Sequence, residues 1–115
     1  MVTSATSLGR TGLHDWFIQR LSAVVMAIFA VYTAWFFIDT ATVTHANLVA
    51  FFAAPFTKFF AIISIVLMSF HIWVGMWIIS TDYIKPLFIR MAFQGALIVY
   101  CFALVLWGFQ ILWGV

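Results

Sequence analysis

One histidine, His71, stands inside the long apolar run "SFHIWVGMW", Ser69 to Trp77. A polar ring in such surroundings is hydrogen-bonded, bound to something, or moving a proton. Successive helical residues turn by about 100°, which places Ser64, His71, Gly75, Ile78 and Asp82 on one stripe. Gly75 follows the histidine by one turn, and its missing side chain leaves room for a flat, bulky group against the helix. Haem is such a group, and a histidine nitrogen is a common protein ligand for it. The same stripe equally suits a histidine bonded to a neighbouring helix, with glycine at a packed contact, or a proton relay. Spacing leaves the three open. A lone histidine supplies one axial ligand, so a six-coordinate haem needs a second chain.

Two further polar segments carry chemistry. "GLHDWFIQR" holds His14, Asp15 and Arg20, and "TDYIKP" holds Asp82, Tyr83 and Lys85. Together they offer acids, a phenol donor and cations beside aromatic and apolar walls. A quinone fits such a border, because its carbonyls need hydrogen-bond donors and its reduction consumes two protons. Haem propionates would favour Arg20 and a protonated His14. The plain alternative is anchoring, since charged residues just beyond a span settle in the headgroups and Asp or Pro marks helix ends. His45, in "VTHANL", reads as a solvated loop residue, and Asp39 as the end of a span or the N-cap of the next segment. Cys101 is the only cysteine, so no intrachain disulfide is possible; it packs as a small hydrophobe.

The elements that must position these groups are legible from composition. Of 115 residues, 67% are hydrophobic, 20% aromatic and only 7% charged. A soluble domain carries about 25% charged residues, so this chain lacks the polar surface to cover its own core. Lipid is its natural solvent. The net charge of +2 is too small and too scattered for nucleic-acid binding. The N-terminal stretch lacks the apolar core and cleavage site of a signal peptide, so the expectation is an unprocessed chain. Length allows one small domain, residues 1–115.

Three apolar runs, roughly residues 21–38, 59–80 and 91–113, contain no Lys, Arg, Asp or Glu. Each is long enough to cross a hydrocarbon core of about 30 Å as a helix, and too long and too uniformly apolar for barrel strands. The expected fold is therefore an all-α membrane protein with three transmembrane helices. "LVAFFAAPF" in the first connection reads as an interfacial segment. Arg10 and Arg20 precede the first span and Lys85 and Arg90 follow the second, against Lys58 alone on the other side. That excess predicts a cytoplasmic N-terminus and a periplasmic C-terminus. Trp16, Trp35, Trp77, Trp107 and Trp113 fall near span ends, as an interfacial belt would place them.

With "HIWVGMW" followed by "TDYIKPL", the chain resembles the small hydrophobic membrane-anchor subunit of bacterial succinate dehydrogenase, the cytochrome b556 subunit of respiratory complex II. The opening "SLGRTGLHDWFIQR", "FFAAPFTKFF" and the closing "WGV" extend the resemblance over the whole chain. It departs from the pattern at Trp16, at Gln19 and in the outer loop.

The resemblance implies an anchor in the bacterial inner membrane, packed with a second three-helix cytochrome b subunit and holding one haem b between the two. His71 stands at the axial-ligand position, His14 and Arg20 at positions near the haem propionates. Tyr83 matches the tyrosine that hydrogen-bonds a ubiquinone carbonyl, with Asp82 beside it. Succinate oxidation would belong to a flavoprotein subunit and onward transfer to an iron–sulfur subunit. This chain has neither a dinucleotide fingerprint nor cysteine clusters. A haem-free structural anchor of a related quinol-linked reductase is the first competing reading. A small proton-coupled transporter subunit is the second, disfavoured because every acid lies outside the spans.

Overall fold

The computed structural model describes residues 12–115, and over these residues the fold is all α. Arg10 and the segment "SLGRT", which bear on orientation and resemblance, lie outside the described residues. Four helices run in order: α1 (Gly12–Asp39), α2 (His45–Ala53), α3 (Pro55–Tyr83) and α4 (Leu87–Trp113). α1, α3 and α4 are long and apolar enough to cross a membrane. They run past the expected spans, since α1 starts nine residues before position 21 and α3 four residues before position 59. The added turns are polar and amphipathic, which hydropathy alone does not register as span.

Local chemistry explains the boundaries. Asp15 sits in the first turn of α1, where the helix dipole favours an acid. Asp39 is the last residue of α1. A capping box starts α2: the Asn47 amide N–H donates to Thr44 Oγ1 at 3.3 Å, and the Thr44 N–H donates to Asn47 Oδ1 at 2.7 Å. His45, expected in a loop, is instead the exposed first residue of α2. Pro55 opens α3, where its missing N–H costs nothing. Ile84, Lys85 and Pro86 alone join α3 to α4, and Pro86 serves as the N-cap of α4.

α3 is the central helix, packed by α1 on one side and α4 on another. Gln19 meets Gly75, Ser22 meets His71, Phe29 meets Phe60 and Tyr32 meets Thr57, so α1 and α3 are antiparallel. α4 returns alongside α3, with Gln94 against Ser80, Cys101 against Ser69 and Gly108 against Ile65. The buried residues are small and polar as often as apolar: Ser22, Thr57, Ser64, Ser69 and Ser80 beside Ala61, Val74, Leu97, Cys101 and Leu112. That is the composition of a membrane seam, where small side chains let backbones approach and hydroxyls bond across helices. Large side chains such as Leu13, Val31, Phe88 and Leu106 are exposed, as lipid or a partner would require.

An aromatic cluster fixes α2. Tyr32 packs on Phe29, Phe51, Phe56 and Phe60, and Phe36 stacks on Phe51 with centroids 4.2 Å apart. The Tyr32 hydroxyl also lies 2.6 Å from Thr57 Oγ1. α2 is thus held by rings against the junction of α1 and α3, at the end of the molecule away from Tyr83.

Candidate functional site

His71 lies twelve residues before the end of α3, about 18 Å from it along the axis at 1.5 Å per residue. Its ring is half-buried against α1. Nδ1 lies 2.9 Å from Ser22 Oγ, and the same Oγ lies 3.0 Å from the backbone carbonyl of Gln19. A hydroxyl has one proton, and a carbonyl can only accept. With that proton on the Gln19 carbonyl, the Ser22 lone pair must receive a proton from Nδ1. The geometry accommodates the Nδ1–H tautomer, in which the Nε2 lone pair is left for a Lewis acid; with the Ser22 proton on Nδ1 the other tautomer fits the same distances.

Ser22 is completely buried and Asp15 nearly so, at 0% and 4% exposed. With Gln19 they form a polar i, i+4, i+7 stripe on the α1 face toward α3. Reasoning from the sequence misses this stripe. Its signal is nevertheless present in "HDWFIQRLS", as polar residues recurring at helical spacing within otherwise greasy turns.

Gly75 has a different neighbour from the one its spacing suggests. A Cβ built there would lie 3.3 Å from Gln19 Nε2, so the missing side chain admits α1 and its glutamine. Gln19 Oε1 is buried without a hydrogen-bond partner, and so are Ser64 Oγ, on the histidine stripe, and Trp73 Nε1.

Asp82 and Tyr83 close α3 and are exposed, Tyr83 to 79%. Antiparallel packing brings them to the same end of the molecule as His14 and Asp15. His14 and Arg20 are both exposed. The Arg20 guanidinium lies 5.6 Å from the centroid of the Trp16 ring, a cation–π arrangement. Arg20 precedes Ser22 by two residues, about 200° of rotation, and so lies across α1 from the histidine contact. The structure thus joins His71 to Ser22, and gathers Tyr83, Asp82 and His14 at one end without direct contact to the imidazole.

A separate apolar groove of about 310 Å³ lies between α3 and α4, lined by Val66, Ser69, Phe70, Trp73, Cys101 and Phe102 among others. Trp73 is about 200° around α3 from His71, so the groove opens on the far side. Its floor is tied by reciprocal bonds: Ser69 Oγ donates to the Cys101 carbonyl at 3.4 Å, and Cys101 Sγ donates to the Ser69 carbonyl at 3.6 Å.

Residues 2–110 match the family model described as the succinate dehydrogenase/fumarate reductase transmembrane subunit. This chain belongs to that family. It is 33% identical over 104 residues to the succinate dehydrogenase hydrophobic membrane anchor subunit of Coxiella burnetii (strain RSA 493 / Nine Mile phase I), a match covering 90% of each chain. As a transmembrane subunit of this family, it is a multi-pass membrane anchor, and its three apolar helices are the spans that do the anchoring. Among the described residues no three His, Cys, Asp or Glu side chains converge as a metal site.

Proposed function

We propose that this chain anchors a succinate:ubiquinone oxidoreductase in the bacterial inner membrane, contributes one axial ligand to a shared haem b and completes the quinone site. The observation that carries the haem reading is the Ser22–His71 bond. It accommodates the tautomer a ligating imidazole needs and would orient the ring from the opposite nitrogen. Haem b, when bound, supplies a one-electron site within the membrane. His71 Nε2 would hold the iron, and a second three-helix cytochrome b subunit would supply the other axial ligand. His14 and Arg20, both exposed near the start of α1, are the residues proposed to face the propionates, Arg20 from the side of α1 across from the Ser22–His71 contact.

At the same end, Tyr83 would donate its phenol proton to a ubiquinone carbonyl and orient the ring, with Asp82 polarising that phenol. Both are exposed in this chain and free to meet a partner surface. An iron–sulfur subunit docked there would deliver electrons taken from succinate on a flavoprotein subunit. The N-terminus is accordingly assigned to the cytoplasm and the C-terminus to the periplasm, in line with four cations against one.

The test is a reduced-minus-oxidised optical spectrum of membranes carrying the whole complex, native and His71→Ala. The expected result is a b-type band lost, weakened or shifted in the variant. A band untouched by the substitution removes His71 from the haem. No band in either sample leaves a haem-free anchor as the reading.

A further inference from the structure

We infer that Ser22 is a positioning residue for the axial histidine, holding the imidazole plane and setting how strongly Nε2 donates to the haem iron. This rests on the reading of His71 as a haem ligand and goes beyond it by naming what tunes the ligand. Ser22 is 0% exposed in the α1–α3 seam, where a hydroxyl left unbonded is costly. Its hydroxyl reaches both the Gln19 carbonyl, which can only accept, and His71 Nδ1, which carries the proton whenever Nε2 is the ligating atom.

Two features make this a control point as well as a packing contact. Ser22 Oγ sits one bond from its Cβ and is tied back to its own helix. The acceptor therefore cannot follow the ring if His71 rotates. Donation of its proton to a carbonyl also polarises the hydroxyl, which strengthens it as an acceptor for Nδ1–H. An acceptor on Nδ1–H raises the electron density at Nε2, which favours the ferric state and lowers the reduction potential. The nearest carboxylate on the same α1 face is Asp15, two turns away and about 10 Å along the axis. The pull on Nδ1 is thus that of a hydroxyl, weaker than a carboxylate's.

The experiment compares Ser22→Thr, Ser22→Val and Ser22→Ala in membranes carrying the complete complex, by potentiometric titration of the b band. Thr and Val have nearly the same shape and differ by the hydroxyl; Ala removes the hydroxyl without adding bulk. Ser22→Thr is expected at the native potential, with Ser22→Val and Ser22→Ala both shifted to more positive values. Loss of haem from Val and Ala, with haem kept in Thr, supports the inference equally. Native potentials in both Val and Ala overturn it. So does a Thr variant that shifts, or loses haem, as Val does while Ala matches the native protein, because bulk would then be the cause. His71→Ala in the same series separates the two claims. An unchanged band there sinks ligation itself, whereas a lost band with unmoved Val and Ala variants sinks Ser22 alone.

Discussion

Alanine substituted in turn at Gly75 and Gly108 adds the same methyl group to two helix interiors, with opposite expected results. In each helix the exchange gains up to about 1 kcal/mol in propensity. At Gly75 the new Cβ meets only Gln19 Nε2, at 3.3 Å, the end of a flexible side chain that yields by a few tenths of an ångström. Most of the gain survives. At Gly108 the Cβ would lie 2.7 Å from Ile65 Cδ1, which must shift, while Cγ2 at 3.4 Å and Cγ1 at 3.6 Å are in ordinary contact. Overpacking of that kind costs about 1–3 kcal/mol, which turns the gain into a net loss of up to about 2 kcal/mol. The assay is thermal release of this subunit from the detergent-solubilised complex, with the b band tracked in parallel. Gly75→Ala is expected at or above the native midpoint with its band intact, and Gly108→Ala below it. A Gly75→Ala complex that melts as early as Gly108→Ala would mean Gln19 is pinned. One that stays assembled but loses its band would return Gly75 to the haem face and refute the packing argument.

Tyr32→Phe removes the 2.6 Å contact to Thr57 while leaving the aromatic cluster in place. A loss of about 0.6 kcal/mol, and at most about 1.7, is expected, the average and maximum for interhelical hydrogen bonds within membranes, and an unchanged melting midpoint would count against the bond. Lys58→Met removes a bond from Nζ to the Val115 carbonyl at 3.4 Å and a cation–π contact 5.2 Å above Trp113. Amide exchange in the last turn of α4 is expected to quicken about two- to five-fold, as a loss of about 0.5–1 kcal/mol implies. Tyr83→Phe is expected to slow quinone reduction roughly tenfold, as loss of one hydrogen bond would, while succinate oxidation by a soluble acceptor continues. Equal loss of both activities would instead indicate damaged assembly.

Three spans can be read from hydropathy because lipid rewards long apolar runs regardless of what they touch. The seams between those spans are harder to read for the same reason: an apolar residue facing lipid looks like one facing a helix. Ser69, Ser80 and Thr57 mark the contacts, and they are small polar residues that a search for a greasy core passes over. His71 stands out as the single polar ring in its run, and helical spacing places Ser64 and Gly75 beside it. Spacing within one helix cannot reveal Ser22, which comes from 49 residues away. Nor can it show that the space at Gly75 belongs to Gln19. The short helix α2 is legible only as an interfacial segment, because its nine residues lack the length for a periodic signal.

Because α1 and α4 each pack on α3, the subunit is an open layer of three long helices with little interior of its own. Its energetics are those of a page in a book: most of either broad face meets lipid or another chain rather than this one. The same openness means that the stability of this subunit is a property of the assembly. Substitutions on its outward faces, measured in the chain alone, would look silent; the cost would surface only when the layers meet.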